Sequence, residues 1–400
     1  MKKKILFLGA AAHQISPILY AKKKNYFVIV CDANKKSPGA KYASKFCNVS
    51  ISDKKKILEL SKNEKINAII SYASEVGSTT QAYVANKMKL PSNLLSSIET
   101  LAYKNKFRFF LKKEGFVFPK NRVFTDFKKF KFFLTKNNKL PFIIKPVDAS
   151  GSKGISKIND LINLKKKFDY AKKFSKSKKI ICEEFLERKG SQIAGDGFVY
   201  NGRLVFAHLA DQYFNLYPNP LIPIGESWPS THTKQNLKKA LITLQKVFKK
   251  LKIKFGAFNF DLQFIENNKF MIIEIGPRNG GDYIPELIKL STGVDLIRAT
   301  VEASLGNRLF NKNFKKKYNR FFSTFRINSK KSGILKKIII SEKLKKNIFK
   351  KKIFYKKNQK VKKFNLGRDA LGILILKFNS LDEMKYKMNS IDQNIKVILD

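Results

Sequence analysis

The stretch Phe258–Asp282, FNFDLQFIENNKFMIIEIGPRNGGD, decides how the rest of the chain is read. It has the form of a β-hairpin around Asn267-Asn268, because Asn tolerates the positive φ of a two-residue turn. With Glu266 and Lys269 flanking that turn, the pairing register puts Glu274 opposite Asp261. Facing carboxylates repel unless a cation lies between them, and hard oxygen donors suit Mg²⁺, with Mn²⁺ as an alternative ion. Arg278 follows one short step after Glu274, and Gly280-Gly281 let backbone approach a ligand closely. A solvated strand face also carries facing acids. Pro277 and the Gly-Gly pair directly after the strand point to a site instead.

Working outward, the 400 residues are long for one core, so two or three domains are expected. No uncharged apolar run reaches membrane-spanning length. The N-terminus, MKKKILFLGAAAHQ, has too short an apolar part for a signal peptide and reads as a first strand entering a loop. Cys31, Cys47 and Cys182 are scattered, which suits a reducing cytoplasm. The formal charge of +52, from 82 Lys+Arg against 30 Asp+Glu, raises the question of nucleic acid. The lysines form short clusters throughout the chain and no single stripe. The expectation is therefore a uniformly basic surface without a specific nucleic-acid site.

Residues 1–102 alternate strand and helix patterns: Ile5–Leu8, Ile15–Lys24, Tyr26–Cys31, Lys54–Asn63 and Ala68–Ser71. This βαβαβ order predicts a parallel, Rossmann-like sheet with ligands beyond its strand ends. Those ends carry Gly9–Gln14 with His13, Asp32, and Ser71–Gly77 with Glu75. The turn GAAAHQ lacks the later glycines of a dinucleotide fingerprint. Glu75 is a candidate substrate contact or a plain helix N-terminal acid.

From Tyr103 a helix with a phased apolar face leads to LPFIIKPVDASGSKGI. There Lys145 ends a strand, and Ser150, Gly151, Ser152, Lys153 and Gly154 form a small-residue loop able to fold over phosphates. KKIICEEFLE gives another strand ending in acids. Gly195–Tyr200 and Arg203–Leu209 form a hairpin around Asn201-Gly202, with His208 and Asp211 as candidate pocket residues. Residues 210–231 read as a Pro-rich loop and Lys234–Leu251 as an amphipathic helix. Residues 320–400 read as a small α+β appendage.

Taken in order, these motifs resemble the ATP-grasp superfamily, and within it the carboxylate–amine ligases such as biotin carboxylase and the carbamoyl phosphate synthase large chain. The likeness covers residues 1 to about 310. It implies an α/β fold: a Rossmann-like domain at 1–102, an ATP-grasp domain at 103–310 in two parts (103–182 and 183–310), and a small α+β subdomain at 311–400. It implies ATP contacts from Lys106, Lys145 and the loop 150–154. Glu183, Glu184, Phe185, Leu186 and Glu187 become the adenine hinge, with Glu183 or Glu187 on the ribose or exocyclic amine. Asp261 and Glu274 would hold the metal, and Arg278 would neutralise an acyl phosphate. Asn279, Gly280 and Gly281 would lie beside substrate. The signature asparagine that serves as a metal ligand is Gly276 here. R-x-G-G-D at 278–282 is similar to a subset of amino-acid ligases.

The implied activity is an ATP-dependent ligase joining a small carboxylate to an amine or amino acid through an acyl phosphate, in the cytoplasm, with a homodimer among the expected states. The alternatives are a purine-type carboxylase or formyl-transferring enzyme, or a non-catalytic ATP- or nucleic-acid-binding protein.

Overall fold

ILFL (Ile5–Leu8) and FVIVC (Phe27–Cys31) are apolar throughout because both faces of their strands are covered, as in a parallel sheet between helices. The computed structural model describes residues 2–137, 140–215 and 217–400. Its first sheet is parallel, in the order β3-β2-β1-β4, from β1 (Lys4–Leu8), β2 (Phe27–Cys31), β3 (Lys45–Cys47) and β4 (Ala68–Ile70). Helices α1 (Ile15–Lys23) and α2 (Lys54–Glu64) connect its strands, and α3 (Glu75–Lys87) follows β4. Asp53 caps α2 by accepting from the Lys56 amide, and Ser74 caps α3 by accepting from the Gly77 amide.

The short α4 (Leu95–Ala102) and α5 (Lys104–Lys113) follow. On α5, Phe107, Phe110 and Leu111 face inward and pack with Phe248, Phe258 and Phe260. An antiparallel sheet comes next, ordered β5-β8-β6-β7 from β5 (Asn121–Phe124), β6 (Phe142–Pro146), β7 (Ser156–Ile158) and β8 (Ile180–Glu184). Helices α6 (Phe127–Lys136) and α7 (Leu164–Phe174) cover one face of it, around Phe130 and Phe168.

The largest sheet has eight strands, ordered β13-β12-β9-β10-β11-β14-β18-β16. Its members are β9 (Lys189–Tyr200), β10 (Arg203–Phe214), β11 (Pro223–Trp228), β12 (Phe255–Ile265), β13 (Lys269–Gly276), β14 (Phe321–Ile327), β16 (Ile348–Ile353) and β18 (Gly372–Phe378). Along β12 the period of two separates the faces. Phe258, Phe260, Leu262 and Phe264 enter the core under α8 (Lys234–Lys250). Asn259, Asp261 and Gln263 therefore take the other face. Helices α9 (Ile284–Thr292) and α10 (Leu296–Ser304) follow the central hairpin. A three-stranded sheet, β17-β15-β19, is formed by β15 (Gly333–Ile340), β17 (Lys360–Val361) and β19 (Ile395–Leu399).

Two expectations change. Residues 210–231 are not one loop: β10 runs on to Phe214, and β11 lies inside the Pro-rich stretch. The tail does more than append, because β14 pairs with β11 (Glu226 opposite Thr324) and continues the central sheet through β18 and β16. Ile222 and Ile224 share a core with Leu374, Leu376 and Met384, so burial fuses the tail to the sheet.

Candidate active site

Asp261 of β12 pairs with Glu274 of β13, the pairing expected from the sequence. The route differs from a two-residue turn. The turn spans Glu266–Asn268, with Asn267 and Asn268 both at positive φ, and Ile265 pairs with Lys269. That register holds to Leu262 opposite Ile272; the extra residue Ile273 then bulges out and restores Asp261 to Glu274. Burial pushes the Asp261 carboxyl up to about 7, and the Glu274 charge adds to the rise. The Glu274 Oε2 lies 3.2 Å from Lys104 Nζ, which donates at 2.7 Å to the Ala149 carbonyl, where the small-residue loop begins.

A facing pair of carboxylates, one of them penalised in its charged form, fits a hard divalent cation. No group of three or more potential His, Cys, Asp or Glu ligands stands together among the described residues. The pair could thus hold an ion only with oxygens from elsewhere, such as phosphate or water.

Beside this pair lies a buried charge triad. Glu183 accepts from Arg108 Nε at 2.8 Å and from Lys145 Nζ at 2.6 Å. Burial opposes its charge, but the two cations outweigh it and hold its carboxyl at about 2. Burial lowers the Lys145 pKa, against the pull of Glu183. The segment after Glu183 turns between the two antiparallel sheets. The amides of Glu184 and Phe185 donate to the Lys120 and Pro141 carbonyls, the Leu186 carbonyl accepts from Gln263, and Glu187 is exposed. Lys157 Nζ sits 3.9 Å from the Phe185 ring centroid. The small-residue loop joins β6 to β7; Ser152 Oγ donates to the Leu221 carbonyl at 3.1 Å, while Gly151 and Lys153 are exposed.

Arg278 points at the first sheet and forms an ion pair with Glu75, at the start of α3. Burial works against the Glu75 charge, yet Arg278 and a hydrogen bond involving Ser150 hold its carboxyl at about 2. Gly276 explains itself here: a Cβ would sit 3.1 Å from the Arg278 guanidinium carbon and 3.2 Å from Glu75 Oε1. A side chain at 276 would occupy the space this ion pair uses. The Gly280 amide donates to Asp196 at 2.7 Å, and burial pushes Asp196 up to about 6. Asn279 is fully buried and accepts from Thr300; around Gly281 the space is open. His13 lies among Asp282, Arg278 and Lys352, and burial lowers its pKa.

Three expected residues fall outside this group. Lys106 is 48% exposed, pairs with Glu99 and lines a surface groove on the other side of α5. Lys104, two residues earlier, faces the cleft instead. Asp211 is on the opposite face of β10 from His208, which pairs with Asp196 of β9, and it is tied down by Ser191, Ser230 and the Thr231 amide. His208 is packed in the core with Lys316 at 3.4 Å from its Nδ1, and burial drives its pKa down to about 3. Residues unforeseen from sequence join the cleft. Glu226 is held by Gln212 at 3.1 Å, and burial pushes it up to about 8. Arg326, from β14, forms an ion pair with Asp282 and donates to the Pro223 carbonyl.

Residues 138–286 match the family model described as the ATP-grasp domain. The chain carries an ATP-grasp domain. Its whole length superposes on solved structures of that fold. The phosphoribosylglycinamide synthetase of Anaerococcus prevotii is 24% identical with a TM-score of 0.75, covering 100% of both chains. The L-amino acid ligase of Bacillus licheniformis is 17% identical with a TM-score of 0.80, covering 100% of this chain and 99% of that one. A third is the biotin carboxylase domain of the 2-oxoglutarate carboxylase of Hydrogenobacter thermophilus, in complex with MgADP, ADP and bicarbonate. It is 14% identical with a TM-score of 0.72, covering 100% of this chain and 91% of that one. An uncharacterized protein of Sinorhizobium fredii, y4rH, is 25% identical over 183 residues, 42% of this chain and 34% of its own length. The match thus spans about a third of that relative. The ATP-grasp fold accounts for the layout: the cleft lies between the β5–β8 sheet and the central sheet, with the parallel sheet closing one end. No helix among the described residues is long and apolar enough to cross a membrane.

Proposed function

We propose that this chain is an ATP-dependent carboxylate–amine ligase that forms an acyl phosphate and passes the acyl group to an amine or amino acid. The observation that carries the reading is the convergence of the Asp261–Glu274 pair, Lys104, Lys145 and Arg278 on one cleft. A carboxylate is a poor electrophile, and phosphorylation by ATP makes it a good one. Such phosphoryl transfer needs positioning and charge neutralisation more than covalent chemistry.

The cofactor of this reading is Mg²⁺, or Mn²⁺, carried with ATP; Asp261 and Glu274 would hold it, and it would neutralise charge on the transferring phosphoryl group. Lys104, anchored to Ala149 and Glu274, and Lys145 supply fixed positive charge at the root of the loop 150–154. That loop would close over the phosphates and exclude water from the acyl phosphate. The segment Glu183–Glu187 would take the adenine through its backbone groups, with Glu183 held rigid by Arg108 and Lys145. Arg278 would receive the substrate carboxylate or its acyl phosphate once Glu75 yields it. Small carboxylates and amines are the partners, with no specific nucleic-acid site. A cytoplasmic setting agrees with the free Cys31, Cys47 and Cys182; a homodimer is carried as an expectation.

The test is a phosphate-release screen: purified protein, MgATP, and paired pools of small carboxylates and amino acids. Release that requires both pools supports the reading. Nucleotide turnover independent of any carboxylate would count against it.

A further inference from the structure

We propose that Arg108 is a positioning residue for the metal pair: its guanidinium holds the bulge at Ile273 that sets Glu274 opposite Asp261. The inference rests on the reading of Asp261 and Glu274 as the cation site, but its geometry stands by itself. Near the turn, Ile265, Phe264, Gln263 and Leu262 pair with Lys269, Phe270, Met271 and Ile272. Continued without interruption, this register would put Ile273 opposite Asp261 and Glu274 opposite Phe260. A shift of one residue moves every side chain to the other face. Glu274 would then share the face of Phe260, which is fully buried in the apolar core. The bulge is what turns Glu274 into the cleft.

A bulged residue is left out of the ladder, so its backbone groups need other partners. The Ile273 carbonyl finds Arg108, whose Nη2 donates to it at 2.9 Å. Arg108 reaches there from α5 and is 2% exposed. Its direction is fixed by Glu183, which accepts from Nε at 2.8 Å and from Nη2 at 3.4 Å. Glu183 in turn is held by Lys145 at 2.6 Å. One continuous chain of charged hydrogen bonds therefore runs from Lys145, beside the small-residue loop, to the peptide that sets the register of Glu274. Such charge-assisted bonds are shorter and stronger than neutral ones.

Arg108→Gln separates the two contacts. The Gln amide nitrogen takes the place of Nε and still donates to Glu183, but it does not reach the Ile273 carbonyl. Arg108→Met removes both contacts at similar length. If the Met variant fails to fold, the Gln variant carries the test, since Glu183 keeps Lys145 and an amide donor.

The register is read by cross-linking Asp261→Cys/Glu274→Cys protein with a short bis-methanethiosulfonate reagent. Peptide mapping then distinguishes this pair from Cys31, Cys47 and Cys182. The expected result is rapid cross-linking with Arg108 present and a fall of about tenfold in rate with Gln or Met there, the scale of losing one charged hydrogen bond. Cross-linking at the same rate in folded Arg108→Gln protein overturns the proposal, whatever the pair binds. A second arm keeps Asp261 and Glu274 and follows Mn²⁺ by its electron paramagnetic resonance signal, without nucleotide. Weaker Mn²⁺ binding in Arg108→Gln protein, at a melting temperature near the wild type, is the expected signature of positioning and not of general destabilisation. If Glu274→Gln leaves Mn²⁺ binding intact, the cation reading fails, while the register claim stands or falls on the cross-linking alone.

Discussion

Proton and metal compete for Asp261, and the competition has a calculable size. Burial, with the charge of Glu274 beside it, lifts the Asp261 carboxyl to about 7, far above the ~3.9 of an unfolded aspartate. The sign follows from that order. A raised folded value favours the folded state below the unfolded pKa, and the benefit is lost as pH rises through the folded one. Above pH 7 the ligand-free pair is therefore strained by its own charge, which a divalent cation would neutralise; below pH 7 the cation must first displace the proton. Between pH 8 and pH 6 the fraction of ionised Asp261 falls about tenfold, so the apparent affinity for Mn²⁺ should fall about tenfold, or about 1.4 kcal/mol. Titration calorimetry in the absence of nucleotide measures this directly. Glu226, whose carboxyl is pushed up to about 8, is the nearby group that could imitate the effect. The slope should persist in Glu226→Gln protein and vanish, with the binding itself, in Asp261→Asn protein. An Mn²⁺ affinity that stays level from pH 8 to pH 6 would refute the reasoning.

Three further outcomes follow from the same geometry. Glu183→Gln leaves Arg108 and Lys145 facing each other in a buried site, and chemical denaturation should show a loss of about 3–5 kcal/mol. The wild-type contribution of Glu183, held at about 2, is present above the unfolded carboxylate pKa of ~4.3 and disappears as pH falls through its folded value, so acid should narrow the gap between the two proteins. Gly276→Asn supplies the asparagine missing from the ligand signature, but its Cβ would press on the Arg278–Glu75 pair. It should cost about 1–3 kcal/mol of stability and depress turnover in a steady-state assay, whereas a gain of activity would show that the site was short of a ligand. Gly151 has a φ of +66°, which proline does not adopt. Gly151→Pro should abolish turnover while binding of a fluorescent adenine nucleotide persists, and amides 150–155 of the wild type should exchange more slowly once MgATP analogue is added.

Much of this was legible in the sequence where local pattern and tertiary role coincide. Alternation along β12 puts Asp261 on the face away from Phe260 and Leu262, and apolar runs mark the parallel strands. The register was reached by compensation: a longer turn and a bulge offset one another. Neither is visible locally, because the bulge is held by Arg108 from a helix 165 residues away. Lys104 was within reach. Helical phase puts it on the side of Phe107, Arg108 and Leu111, and puts Lys106 on the side of the exposed Phe109. Strand parity likewise separates Asp211 from His208. Arg326 and Glu226 carried no such signal. Their roles depend on β11, hidden among prolines, pairing with β14 almost one hundred residues later.

The central claim, an acyl phosphate formed on this cleft, is tested most directly with a carboxylate substrate labelled with ¹⁸O. The screen described above supplies the substrate pair, and mass spectrometry of the released phosphate supplies the readout. One labelled oxygen per turnover should pass from carboxylate to inorganic phosphate, with ADP as the other nucleotide product and with Glu274→Gln protein nearly inactive. Amide formation with unlabelled phosphate, or with AMP in place of ADP, would contradict the account.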